Sequence, residues 1–282
     1  FFFFFIATFF KVKFHSSYST ILSGGPMPET ICFEGATLNY AEHVFMGMRG
    51  QEVAILFAKE GADIAISYIS KKKDADETKK IIEQQNHKQC LLIAGDIAKE
   101  KHCKELIKKT VAAFGRIDIL INNAGLHFEN KSLEKISTRE MLKTFETNVF
   151  SMFWVTKACL PYMKKGSCII NTASVTAYRG SSSLMDYAAT KGAIVSFTRS
   201  LSSNLIKKGI RVNGVAPGPV WTPLIASSFN SKRVAQHGSN APMERSGQPV
   251  EIAPCYLFLA SADSGYISGQ FLHPNGGEIV NG

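Results

Sequence analysis

The sequence predicts an α/β protein built as a single-domain, doubly wound parallel sheet. Three observations predict it. From residue 51 onward, short apolar runs of strand length alternate with amphipathic stretches of helix length. Strands separated by helices of that length imply parallel neighbours joined by right-handed crossovers. The chain of 282 residues is 45% hydrophobic and 20% charged, and it carries no internal repeat or interdomain linker after residue 50.

The elements follow in order. Residues 51–60 form an amphipathic helix, with Gly61 as its C-terminal stop. Residues 63–68 are a strand, 74–85 a charged helix, 89–94 a strand, 99–114 a helix and 117–122 a strand. A long helix runs over 138–164, and the apolar run Cys168-Ile-Ile-Asn-Thr-Ala-Ser174 is a buried strand. A helix over 187–207, a strand over 210–216, a helix over 249–261 and a short strand over 270–273 complete the chain. Residues 217–245, rich in Pro, Ser, Gly and Asn, are the one long irregular stretch and suit a lid.

The formal charge of +9 is spread over helix faces, and Lys71-Lys72-Lys73 is the one tight basic run. That pattern suits solubility or attraction of an anionic cofactor and speaks against nucleic acid as a partner. Six cysteines, Cys32, Cys90, Cys103, Cys159, Cys168 and Cys255, include no Cys-x-x-Cys pair and no accompanying His cluster. They point to a reducing compartment without structural zinc, and no metal site is expected. The run from Phe1 to Phe10 is too short to span a bilayer, so no membrane partner is expected. The basic, hydroxylated stretch after it suits an organellar transit peptide, while the five-phenylalanine start suits translated non-coding sequence. Residues 1–30 are therefore set apart from the domain, which is taken as 31–282. The expected location is the cytoplasm, or a plastid if residues 1–30 act as a transit peptide.

Chemistry is carried by Ser174, Tyr187 and Lys191. Tyr187-Ala-Ala-Thr-Lys191 places a phenol and an ammonium on one helix face. An ammonium nearby favours phenolate over phenol, which suits a tyrosine to exchange protons near neutral pH. Ser174, at a strand tip facing that helix, can hold a substrate oxygen. With eight tyrosines in the chain, the spacing alone proves little: Tyr68 and Lys72 repeat it. That second pair lacks a matching serine and reads as a strand end followed by solvated lysines.

The other strand tips line up with this trio. Asp96-Ile97 follows the third strand, and Asn122-Asn123-Ala124-Gly125 follows the fourth. Asn148 lies in the long helix, Pro217-Gly218-Pro-Val220-Trp-Thr222 follows the sixth strand, and Gly276-Gly277 closes the last. Each of these has an ordinary reading by itself: Asn148 as a buried asparagine, Asp96 as a turn acid, Pro217-Gly218 as a plain turn. In register they agree with one another. Over residues 51–282 the chain resembles the short-chain dehydrogenase/reductase family. The wording Asn171-Thr-Ala-Ser-Val-Thr-Ala-Tyr-Arg-Gly, Trp221-Thr-Pro-Leu-Ile and Phe271-Leu-His-Pro-Asn-Gly-Gly-Glu-Ile-Val-Asn-Gly282 is closest to its glucose and ribitol dehydrogenase branch.

The resemblance implies a Rossmann-like fold and an NAD(P)-dependent oxidoreductase. Hydride would pass between a nicotinamide cofactor and an alcohol or carbonyl, a sugar or polyol in this branch. It also implies roles. Tyr187 is the general acid/base, Lys191 supports it and holds the nicotinamide ribose, Ser174 orients the substrate oxygen, and Asn148 bends its helix and holds a relay water. Cofactor contacts fall to Gly50, Asp96, Ile97, Asn123, Ala124, Gly125, Tyr187, Lys191, Pro217, Gly218, Val220 and Thr222. The substrate is set by the loop from Pro219 to Pro242 with Leu126, His127 and Arg179. Homodimers or homotetramers would pack through the two long helices.

The pattern breaks at its start, where the first strand and the glycine loop are atypical. Read back from Val53, Gly50 falls on the family's third glycine, but Met48 and Val44 fall on the second and first. A methionine there would block the approach of backbone to pyrophosphate. Two explanations compete: the segment before Gly50 is not the natural coding sequence, for instance a misjoined exon, or the chain is a non-catalytic relative that binds or regulates, which is the alternative function. The second strand ends in Ile66-Ser67-Tyr68-Ile69, with no acid for the ribose hydroxyls of NAD. With Lys71–Lys73 just beyond, the cofactor reading is NAD(P), leaning to NADP.

Overall fold

The computed structural model describes residues 4–5, 49–222, 225, 234 and 236–280. Val44 and Met48, on which the glycine register turns, lie outside the described residues, as does Cys32. The strands are β1 (Phe4–Phe5), β2 (Ile64–Tyr68), β3 (Cys90–Ala94), β4 (Ile119–Asn122), β5 (Cys168–Thr172), β6 (Arg211–Val215) and β7 (Phe271–Leu272). The main helices are α1 (Arg49–Lys59), α2 (Lys72–Asn86), α3 (Glu100–Phe114), α4 (Thr138–Phe145), α5 (Ser151–Cys159), α6 (Thr176–Arg179), α7 (Met185–Leu205) and α8 (Pro249–Ala260).

The strands from β2 onward are parallel to their neighbours and form two groups, β1-β2-β3 and β4-β5-β6-β7. Among the described residues no strand joins β2 to β4. Phe4–Phe5, from the segment set apart by sequence, pairs antiparallel with Tyr68 and Ser67 on the β2 edge away from β3.

Side chains alternate across the strands, and so sort themselves onto two faces. Ile64, Ile66, Ile119, Ile121, Ile170 and Val215 pack on one face under Val53, Phe57, Ile252 and Tyr256 of α1 and α8. Ala65, Leu120, Ile169 and Val212 pack on the other face under Leu106, Val155 and Cys159 of α3 and α5. Helices therefore cover both faces, as the doubly wound reading requires. The first core spans both strand groups, so packing is continuous from one group to the other.

The α1 stop falls where the sequence puts it. Gly61 takes φ 95°, in the left-handed region, and its N–H returns to the Ala58 carbonyl at 3.0 Å. Helix 138–164 differs from the expected single rod. It divides into α4, a π-helical turn over Glu146–Phe150, α5 and a 3-10 turn over Leu160–Tyr162. A π turn inserts an extra residue, which leaves the apolar period of the sequence almost unmarked. Among the described residues no helix is long and apolar enough to cross a membrane.

Candidate active site

The tips of β4, β5 and β6 and the N-terminal half of α7 meet at one cleft of about 680 Å³. Ser174 and Tyr187 line it, as do Pro217, Gly218, Val220 and Thr222. His127 and Arg179, expected from sequence near the substrate, line it too. Of the irregular stretch 217–245, Gln236 to Ala241 form part of the outer wall.

Ser174 is 9% exposed, and its Oγ accepts a hydrogen bond from the Thr176 N–H at 3.2 Å. The His127 ring meets the Tyr187 ring edge-on, with centroids 5.3 Å apart and planes at 85°. That contact fixes the plane of the phenol from outside. Lys191 fixes it from beneath: its Nζ lies 5.3 Å from the Tyr187 ring centroid. Lys191 is 2% exposed, and the ammonium donates to the Thr172 carbonyl at 2.8 Å. A buried ammonium needs such an acceptor, since burying an ion without one is costly. Gly125 passes alongside, where a Cβ would stand 3.5 Å from Lys191 Nζ.

Asn148 sits at the centre of the π turn, fully buried. Its Oδ1 accepts from the Leu126 N–H at 2.7 Å, and its Nδ2 donates to the Leu126 carbonyl at 2.9 Å and to Thr190 Oγ1 at 3.0 Å. Thr190 Oγ1 in turn donates to the Tyr187 carbonyl at 2.6 Å. Asn148 thus ties the loop after β4 to the first turns of α7. Leu126 enters through its backbone and is buried at 1% exposure, away from the cleft where sequence put it.

The strand tips are pinned from within. Asn122 Nδ2 donates to Asn171 Oδ1 at 2.9 Å, and Asn171 Nδ2 donates to Thr198 Oγ1 at 2.9 Å. Thr172 Oγ1 reaches Asn123 Oδ1 at 3.2 Å and Tyr256 Oη at 2.7 Å. These bonds lock β4, β5, α7 and α8 together behind the cleft. Gly218 is fixed by packing: a Cβ there would stand 2.7 Å from Asn275 Cα.

The remaining expected cofactor positions lie off this cleft. Asp96 accepts from the Ala98 N–H at 2.9 Å and from Lys143 Nζ at 2.8 Å. Partial burial works to raise its carboxyl, but the Lys143 hydrogen bond, the Ala98 N–H and the nearby lysine charges outweigh that and hold it below the usual range. Ile97 is a core residue at 1% exposure, and Gly50 is buried in the first turn of α1. Sequence reasoning missed Glu278, Thr190 and Lys143. Glu278 lines the cleft, and no spacing in the sequence links it there, whereas His237 lines it from within the loop 219–242 assigned to the substrate.

A family model described as "Enoyl-(Acyl carrier protein) reductase", of the short-chain dehydrogenase/reductase type, matches residues 48–278. The chain belongs to the short-chain dehydrogenase/reductase family. It is similar to "Uncharacterized oxidoreductase YhxC" of Bacillus subtilis, at 57% identity over 83% of this chain and 81% of that one. It is similar to "Glucose and ribitol dehydrogenase" of Daucus carota, at 50% identity over 83% and 82%. Among solved structures it is similar to a short-chain dehydrogenase from Burkholderia cenocepacia in complex with NADP. That match has 28% identity and a TM-score of 0.76, covering 81% of this chain and 92% of that one. The chain is thus an oxidoreductase by family, with the Rossmann-type layering that family shares.

Proposed function

We propose that this chain is an NAD(P)-dependent dehydrogenase acting on the alcohol or carbonyl of a sugar or polyol. The observation that carries the reading is the placement of Ser174 and Tyr187 in one cleft, with Lys191 Nζ 5.3 Å from the Tyr187 ring centroid. The residues on the nicotinamide side fit such a cofactor. Gly125, at the end of the loop from Asn123, passes Lys191 without a side chain, and Pro217, Gly218, Val220 and Thr222 form a wall beside Tyr187. Lys191 would hold the ribose, and Thr222 the carboxamide. When bound, the nicotinamide supplies the hydride acceptor or donor.

The protein's own residues do the rest. Ser174 Oγ holds the substrate oxygen beside Tyr187. Tyr187 takes the hydroxyl proton during oxidation and returns it during reduction. Lys191 places a positive charge under the phenol, where the phenolate forms. Asn148 is a positioning residue: its three bonds hold the start of α7, and with it Tyr187, against the loop after β4. His127 and the wall from Gln236 to Ala241 narrow the cleft and limit water.

The cofactor reading leans to NADP. Lys71–Lys73 follow the tip of β2 without an acid, and the Burkholderia cenocepacia neighbour is a complex with NADP. The sugar or polyol reading is supported by the name of the Daucus carota relative and by the polar cleft wall. A homodimer or homotetramer packed through the two long helices is supported by exposed Phe150 of the π turn and exposed Phe153 of α5, the latter tilted against Phe197 of α7 at 4.1 Å between centroids. A reducing, cytoplasmic setting suits the free thiols of Cys90, Cys103, Cys159 and Cys168. Fluorescence titration with NADPH and NADH tests the proposal. NADPH should bind more tightly than NADH, and no binding of either at millimolar concentration would leave a non-catalytic relative.

A further inference from the structure

The cleft mouth carries a charged pair that the proton-transfer chemistry does not use. Arg179 Nη1 donates to both carboxylate oxygens of Glu278, at 3.0 Å and 3.1 Å. Both residues line the cleft. Arg179 ends α6, five residues beyond Ser174, while Glu278 comes from the C-terminal segment.

That segment is held firmly. The Gly218 N–H donates to the Pro274 carbonyl at 3.1 Å, the Met243 N–H donates to the Gly276 carbonyl at 2.9 Å, and Asn275 Nδ2 donates to the Glu278 carbonyl at 2.6 Å. Glu278 is therefore built into the cleft wall. The pair itself is open to solvent, with side chains 53% and 25% exposed, and an ion pair so placed adds little to stability.

Its chemistry suits recognition. A guanidinium carries five N–H donors, and a carboxylate offers about four acceptor sites. Among the described residues the Arg179 side chain is engaged at Nη1 alone, which leaves Nη2 and Nε as donors. Donors beside acceptors, with net charge near zero, match the adjacent hydroxyls of a neutral polyol. The same arrangement disfavours an anion, because Glu278 cancels the charge of Arg179 and repels a carboxylate or phosphate.

We propose that the Arg179–Glu278 pair is the specificity device of this cleft, binding neighbouring hydroxyls of a neutral polyol and excluding its acidic counterparts. This rests on the sugar or polyol reading above and adds the residues and the charge rule. Glu278→Gln keeps the shape and exposes the Arg179 charge. Arg179→Met keeps the aliphatic stem and removes the donors.

The test is equilibrium binding of ribitol and of ribonate, followed by ligand-observed NMR on the full chain, with thermal melts to confirm folding. Wild type should prefer ribitol. Glu278→Gln should move the ribitol-to-ribonate ratio roughly tenfold toward the anion, as for one charge-assisted bond gained. Arg179→Met should weaken ribitol by roughly tenfold. A ratio unchanged in Glu278→Gln, or equal ribitol binding by wild type and Arg179→Met, overturns the proposal. So does a wild type that fails to prefer ribitol. Failure of NADPH to bind is a separate result, and it counts against the oxidoreductase reading rather than the charge rule.

Discussion

Replacing Asn148 with Ala should cost about 4 kcal/mol of stability, and the figure follows from what the substitution strands. Asn148 satisfies both the N–H and the carbonyl of Leu126, whose residue is 1% exposed. Each backbone group left buried without a partner costs about 1–3 kcal/mol, so the two together cost about 2–6 kcal/mol. The third bond adds little, because Thr190 Oγ1 keeps its bond to the Tyr187 carbonyl. Asn148→Asp sharpens the test. The aspartate can still accept from Leu126 N–H, but its second oxygen then faces the Leu126 carbonyl with no proton to share. Acid should restore that proton, so Asn148→Asp should recover stability relative to Asn148→Ala as pH falls toward about 4. Urea titration followed by fluorescence of Trp154 and Trp221 measures all three proteins. An Asn148→Ala loss below about 1 kcal/mol would refute the reasoning. The same experiment guards the functional reading, since a fall in kcat counts as a positioning effect only where the variant is still folded.

Tyr187→Phe should lower kcat by at least about a hundredfold and move the urea midpoint little, because the ring can keep its contacts with His127 and Lys191. Retained turnover would remove Tyr187 from the chemistry. Gly218→Ala should destabilise by about 1–3 kcal/mol, since its Cβ would press on backbone at Asn275 that cannot yield as a side chain would; a neutral result in denaturation would show that the segment slides. Burial pushes the thiols of Cys90, Cys103 and Cys168 from 9.0 up to about 12. Their folded values lie above the unfolded ones, so the stability they contribute is whole below pH 9 and is lost as pH rises toward 12. Each costs about 1.4 kcal/mol per pH unit in that window, so on the order of 4 kcal/mol should go by pH 10. Flat stability between pH 8 and 10 would sink that account.

The layer order and the proximity of Ser174, Tyr187 and Lys191 were legible because both are written in short-range pattern. Cys168-Ile-Ile reads as a buried strand, and β5 is buried along its whole length. The decoy pair also resolved as its surroundings indicated. Tyr68 ends β2 at 8% exposure, while Lys72 stands on an exposed face and pairs with Asp76 at 3.2 Å. Contacts made over long separations were not legible. Nothing in the sequence ties Arg179 to Glu278, 99 positions apart, or Lys143 to Asp96, 47 apart. The π turn escaped because one inserted residue shifts an apolar period by less than the pattern can register. Leu126 was misplaced for the same kind of reason: its side chain suggested a lining residue, whereas its backbone does the work.

The packing between the two strand groups bears on how the site can fail. Ser174, Tyr187 and the wall from Pro217 to Thr222 all hang on β5, β6 and α7, within the four-stranded group. Asp96 and Lys71–Lys73 hang on β3 and β2, within the other. Among the described residues, packing joins the two groups: Val53 and Phe57 of α1 share one core with Ile64 and Ile66 on one side and Ile119 and Ile121 on the other. On the proposed function, proton transfer draws on the four-stranded group, and holding a dinucleotide along its length draws on both. Loosening this packing should therefore appear in the KM for cofactor, while kcat at saturating cofactor depends on Ser174, Tyr187 and Lys191. Phe57→Ala, which loosens the packing joint without touching the cleft, should raise the cofactor KM more than it lowers kcat. An equal fall in kcat with KM unchanged would mean that the two groups act as one rigid body.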